Sequence, residues 1–246
     1  MKRLKTAVRL TFLSLMFFSS TLAAQIQMNP LIVNGRPVLA GENYVSHTVA
    51  VGDNELFCTG VIISSHHILT AAHCEEGLVG GKVFFGLDAA KFEHRAITAV
   101  TAHPDYCRKS DCGTSSSEDD FDILVIEFSG QLPLGFEPVP VASKVDLQAG
   151  TKIHLAGYGL NEFGRYEDIL KVAEVPFERM NGTTEFRTTE NSAGTCQGDS
   201  GGPAFILKND KLMVAGLTSR GDGPCRQVGI YTMVNYFSDW INGITK

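Results

Sequence analysis

Beyond residue 32 the chain alternates short apolar runs with clusters of turn residues, and helical spacing of apolar positions is nearly absent until the end. Val61-Ile62-Ile63, Val83-Phe84-Phe85 and Asp122-Ile123-Leu124-Val125-Ile126 read as buried strands in the first half. Lys152–Ala156 and Leu170–Val175 read the same way in the second. Phe205-Ile206-Leu207 and Leu212-Met213-Val214 flank Asn209-Asp210, which predicts a hairpin. Tyr236, Phe237, Trp240, Ile241 and Ile244 recur at a spacing that sets them on one face of a C-terminal helix. Between the halves, Leu132–Pro140 carries three prolines and reads as a crossing rather than an element. The pattern therefore predicts an all-β chain built from two runs of strands.

The amino terminus departs from this pattern. Lys2, Arg3, Lys5 and Arg9 precede a mostly apolar stretch from Leu10 to Phe18, and small residues follow up to Ala24. A basic start, a short apolar core and small residues at a cleavage site predict a signal peptide over 1–24. The stretch is shorter than the roughly 20 apolar residues of a membrane span, so the expectation is a secreted product, extracellular or periplasmic, without a membrane span. All six cysteines lie beyond this segment. An even number in a chain addressed to an oxidising compartment favours disulfides over metal ligation, and metal-type Cys-x-x-Cys spacing is missing. Six cysteines allow 15 connectivities, and the sequence alone leaves them open.

The whole chain has a formal net charge of −6, and its first 31 residues hold four basic and no acidic side chains, so the remainder is more acidic still. Nucleic acid is thereby excluded as an expected partner, because binding a polyanion rests on a basic surface. The length beyond residue 31 suffices for one large core or two modest ones.

Two islands carry candidate chemistry. Cys196-Gln197-Gly198-Asp199-Ser200-Gly201-Gly202 offers a hydroxyl nucleophile among glycines, and Leu69-Thr70-Ala71-Ala72-His73-Cys74 offers a base. A serine hydroxyl needs an imidazole to take its proton and a third group to orient that imidazole. Asp122, opening an apolar run, fits the third role, with Asp120 as the out-of-register alternative in the acidic stretch before it. The order His73, Asp122, Ser200, each in its sequence context, resembles the chymotrypsin/trypsin family of serine endopeptidases.

That resemblance implies two six-stranded antiparallel β-barrels, about 32–140 and about 141–246, with the site in the cleft between them and a short C-terminal helix. It implies an oxyanion hole from the backbone N–H groups of Gly198 and Ser200. It implies disulfides Cys58–Cys74 and Cys196–Cys225, which leaves Cys107 and Cys112 for each other. Ile32-Val33-Asn34-Gly35 matches the amino terminus that proteolysis exposes in the family, with Asn34 where a glycine is common. Residues 25–31 would then be an activation peptide, and the new Ile32 ammonium would pair with Asp199. Alignment on the nucleophile motif sets the base of the specificity slot at Gly194 and its walls at Gly221 and Gly229, with Ser219 on the segment that pairs with substrate. No acid stands at Gly194, where trypsin-type enzymes carry an aspartate, so the expectation is a preference for large apolar residues before the cut.

Several features depart from the family pattern. Arg220 occupies a tryptophan position, the Cys225–Gly229 segment is short, and the region from Val175 to Gly194 is abbreviated. Arg220 would either alter the neighbouring subsites or face solvent. The expected partners are protein or peptide substrates and protein inhibitors, acting on a monomer without cofactor or metal. A catalytically silent module of the same fold is the alternative from another class, and it usually lacks a triad residue. A hydrolase of the α/β type would place its histidine after the serine, whereas His73 precedes Ser200. Asn181-Gly182-Thr183 forms a glycosylation sequon whose use depends on the host.

Overall fold

The computed structural model describes residues 32–53, 57–88, 92–106, 120–143, 146–161, 163 and 169–246. The expected signal peptide, the activation peptide, Cys107 and Cys112 lie outside the described residues.

Strands β2 (Thr48–Gly52), β3 (Phe57–Ile62), β4 (His67–Thr70), β5 (Lys82–Phe85), β6 (Glu93–Ala102) and β7 (Leu124–Phe128) close an antiparallel barrel in the order β2-β3-β4-β7-β6-β5. Strands β8 (Lys152–Gly157), β9 (Lys171–Asn181), β10 (Glu185–Thr189), β11 (Pro203–Lys208), β12 (Lys211–Gly221) and β13 (Val228–Met233) follow. Pairing of β8 with both β9 and β11 closes them into a second barrel, and β1 (Arg36–Pro37) adds to the outside of β9. The crossing Leu132–Pro140 holds no helix or strand, as its prolines predict. The β11–β12 hairpin turns at Asn209 and Asp210, which take φ of 51° and 59°, the left-handed pair that such a turn needs.

Each barrel has its own apolar filling: Val49, Ile62, Ile68, Leu124 and Ile126 in the first, Ile153, Leu155, Phe186, Ala204 and Tyr231 in the second. A third cluster joins them, where Val61, Leu69 and Val125 meet Ala156, Phe205 and Leu217. The cleft lies over this shared layer, so packing between the barrels sets the geometry of any site built from both.

Three expectations need correction. The run expected as a strand from Asp122 begins its ladder only at Leu124, because the Ile123 N–H bonds locally to Phe121 O at 2.8 Å. The strand expected over Leu170–Val175 starts at Lys171 and continues to Asn181. The C-terminal helix (Ser238–Ile244) follows a 3₁₀ turn, Val234–Phe237. The tighter turn rotates Tyr236 outward, to 50% exposure, while Phe237 and Ile241 stay buried. Among the described residues no helix is long and apolar enough to cross a membrane.

Candidate active site

Register in the first barrel brings His73 and Asp122 together. Thr70 pairs with Leu124 at the end of the β4–β7 ladder, so the residues just after β4 and just before β7 emerge side by side. His73 sits in the 3₁₀ turn Ala72–Gly77, which the Cys58–Cys74 disulfide ties to β3. Asp122 is fully buried and accepts from the His73 backbone N–H at 2.9 Å. The His73 ring Nδ1 stands 2.8 Å from the other carboxylate oxygen. A carboxylate oxygen accepts, so this contact sets the ring proton on Nδ1 and leaves Nε2 as the basic nitrogen. Ser219, from β12 of the second barrel, donates its hydroxyl to the same Asp122 oxygen at 2.6 Å. From the sequence, Ser219 is expected only on the segment that pairs with substrate; its position before Arg220 carries no local sign of a partner in the other barrel.

The nucleophile loop between Thr195 and Pro203 is held from both sides. Thr59 N of β3 donates to Ser200 O at 2.9 Å, and Gly201 N donates to Thr218 O of β12 at 2.7 Å. The Cys74 sulfur lies 4.0 Å from Ser200 O, which sets the His73 turn beside the loop. Gly201 has φ of 74°, and a Cβ there would overlap Thr70 and Ala71, so the first barrel approaches too closely for any side chain. Gly198 also takes a left-handed φ, 91°, and its carbonyl accepts from Thr59 Oγ1 at 2.9 Å. The Cys196–Cys225 disulfide joins this loop to the segment after β12.

Asp199 is fully buried. Burial raises its pKa to about 7, against the opposing pull of backbone donors at Cys196 and Gly159, both at 2.9 Å; Glu190 raises it further and Lys171 lowers it. Ile32 is also fully buried, Val33 bridges to Gly194, and Asn34 Nδ2 donates to Ser192 O at 2.6 Å. Asn34 takes φ of 55°, the conformation that lets it stand where the family has glycine.

A cavity of about 210 Å³ opens beside Ser200 and is lined by Thr195, Ser219, Gly221 and Asp222 among others. Of the expected slot residues, Ser219 and Gly221 thus border the cavity, whereas Gly194 and Gly229 do not line it. Both of those glycines abut the carboxylate of Glu190, which is only 1% exposed. Gly194 itself brings no acid, as expected, but the Glu190 carboxylate stands against it and against Gly229. Glu190 lies in Thr188-Thr189-Glu190-Asn191-Ser192, which reads as a solvated turn and gives no sequence signal of its burial. Arg220 is neither a solvent-facing side chain nor an open anion receptor. Its guanidinium clasps the buried Glu185 carboxylate at 2.5 and 2.9 Å, and Asn181 Nδ2 donates to Glu185 at 2.7 Å. The close grouping Cys58, His73 and Cys74 has metal-type ligands, but both sulfurs are spent in the disulfide.

Two closed antiparallel barrels with a glycine-rich serine loop in the cleft define the two-barrel class of serine hydrolases. The family model described as Trypsin matches residues 32–241, and the chain belongs to the trypsin family of serine endopeptidases. It is similar in fold to the solved structure of neuropsin, a serine protease expressed in the limbic system of mouse brain. The two are 23% identical with a TM-score of 0.73, over 87% of this chain and 100% of that one.

Proposed function

We propose that the chain is a secreted zymogen whose processed form cuts proteins and peptides as a monomer, with His73, Asp122 and Ser200 as its triad. The observation that carries this reading is the double hold of Asp122 on His73, through the backbone N–H and through Nδ1. With Nδ1 protonated, Nε2 takes the Ser200 hydroxyl proton as the oxygen attacks the scissile carbonyl. The imidazolium so formed is stabilised by Asp122, and the oxyanion is received by the N–H groups of Gly198 and Ser200. His73 then returns its proton to the leaving amine, and water hydrolyses the Ser200 ester by the same route.

Burial of both Ile32 and Asp199 supports the activation step. Asp199 has two backbone donors and a raised pKa, so an ammonium brought to it would gain a charge partner already shielded from water. The same cleft would receive protein inhibitors that imitate substrate. The apolar preference expected from Gly194, Gly221 and Gly229 is not carried into this reading, because Glu190 occupies the space beside two of the three.

The test is fluorophosphonate labelling of the secreted chain, with amino-terminal sequencing of the labelled species. Labelling at Ser200 in chains that begin at Ile32 is expected. A processed chain that resists labelling would be the silent binding module, and a fully active chain still carrying residues 25–31 would overturn the zymogen assignment.

A further inference from the structure

Beside the cavity at Ser200 stands a buried carboxyl group that neither the proposed triad nor the proposed activation pair employs. Glu190 follows β10, and the β10–β13 register sets Thr188 opposite Gly229. A Cβ at Gly194 would collide with Glu190 Oε2, and one at Gly229 with Oε1. Two positions that would fill the floor are thus bare, and a carboxylate from a third position stands in the space they leave.

Its hydrogen-bond partners are all neutral. Thr188 Oγ1 and Tyr231 OH donate to Oε1 at 2.8 and 2.5 Å, and Thr195 N donates to Oε2 at 3.0 Å. Among the described residues no lysine, arginine or histidine forms an ion pair with Glu190. Burial holds its pKa above the ordinary carboxylate range despite those three donors, and the charge of Asp222 adds to the effect. A carboxylate shut from water and given donors but no cation is an incomplete pair. Thr195 links it to the cleft, since this residue lines the cavity beside Ser200 and also donates to Glu190. A side chain entering past Ser200 therefore meets a cavity lined by Thr195, Gln197, Ser219, Arg220, Gly221 and Asp222 among others, with the Glu190 carboxylate behind Thr195. An apolar tip would press against that anion and desolvate it further, whereas a cationic tip on an aliphatic stem would complete the pair.

Resting on the endopeptidase reading above, we propose that Glu190 is the specificity-determining residue of this slot and selects lysine or arginine before the scissile bond. The acid comes from the residue that follows β10, the strand paired with Gly229 of β13, and not from Gly194, so the position usually read for specificity reports the wrong preference in this chain.

The experiment compares kcat/KM of the processed enzyme on peptides matched except for Arg, Lys, Leu or Phe before the cut, alongside the Glu190→Gln variant. Arg and Lys peptides are expected to be cut about 100-fold or more faster than Leu and Phe peptides. Glu190→Gln keeps the side-chain volume and two hydrogen-bonding atoms. It should collapse that ratio to within about tenfold while the Leu rate changes less than about threefold, an outcome a merely structural Glu190 would not give. Returning an acid from the bare position, in the double variant Glu190→Gly with Gly194→Asp, should restore the ratio, because glycine also removes the Cβ that a side chain at Gly194 would strike. Calorimetry on the processed Ser200→Ala chain, with benzamidine against neutral benzamide, reads the slot without catalysis. Benzamidine should bind at least about tenfold tighter. Leu or Phe peptides cut as fast as Arg peptides, or benzamidine binding no tighter than benzamide, would overturn the proposal. A processed chain that binds benzamidine selectively but resists fluorophosphonate would overturn the endopeptidase reading and leave the slot assignment standing.

Discussion

Asp122 and Glu190 are both shut from solvent, and each accepts three hydrogen bonds, yet their donors differ in kind. One donor to Asp122 is the His73 ring, which in the proposed relay becomes a cation when it takes the Ser200 proton. Every donor to Glu190 is a hydroxyl or an amide and stays neutral throughout. The first carboxylate is thus completed from within the protein, once per turnover, and the second awaits a charge from outside. With the roles proposed above, a buried acid in this chain serves turnover where its cation is built in, and recognition where its cation must arrive.

The sharpest break of that comparison is removal of the proton relay. Ser200→Ala and His73→Ala are each expected to lower kcat by about 10⁶-fold on every substrate, with the double variant scarcely worse. Near-normal turnover by either single variant would dissolve the relay. Asp122→Asn should cost about 10⁴-fold, again whatever the substrate, because an amide can no longer hold the ring proton on Nδ1. Its effect belongs in kcat, whereas that of Glu190→Gln belongs to basic peptides alone; kinetics of both variants on Arg and Leu peptides separate the two.

Asp199 offers a third case, a buried acid whose cation is proposed to come from the chain's own new terminus. Its folded pKa of about 7 lies above the ordinary 3.8, so the uncleaved fold binds the proton more tightly than the unfolded chain. The stability from keeping it neutral is present below about 3.8 and is lost as pH rises toward about 7. Thermal melts of the uncleaved Ser200→Ala chain should therefore fall by about 5 °C or more across this window. The added Asp199→Asn substitution should flatten the profile, and so should processing, which supplies the ammonium. An equally steep decline with asparagine in place would remove Asp199 from the account.

The smallest expected effect is at Ser219. Ser219→Ala removes one neutral donor from Asp122 and should lower kcat about tenfold, in keeping with a single hydrogen bond to a charged group. A loss as large as that of Asp122→Asn would mean that the second barrel, not His73, orders the carboxylate.

The parts of the molecule that were legible in the sequence are those whose residues act near one another along the chain. The glycine-rich loop around Ser200, the turn carrying His73 and the hairpin at Asn209-Asp210 each depend on local backbone chemistry. Strand β2 is buried along its whole length and β6 carries charged residues at its start, so neither alternates in a way that marks a strand. The role of Ser219 and the burial of Glu190 depend on cross-strand register. In β10 that register includes a shift against β9 between Arg187 and Thr188, just before the chain reaches Glu190. No neighbour of Glu190 along the chain records that Gly229 and Tyr231 will stand against it.

The clamp on the nucleophile loop has a dynamic consequence. The Thr59 amide is tied to Ser200 O and the Gly201 amide to Thr218 O, so one loop bonds to β3 on one side and β12 on the other. Freeing the Thr59 amide requires the loop to lift from the first barrel, which also draws Gly201 away from Thr70 and Ala71. Its hydrogen exchange should then proceed only through the opening that parts the two barrels, at a rate shared with buried amides of their common layer. The loop that carries Ser200 is in this sense a latch, expected to open only as the two barrels part.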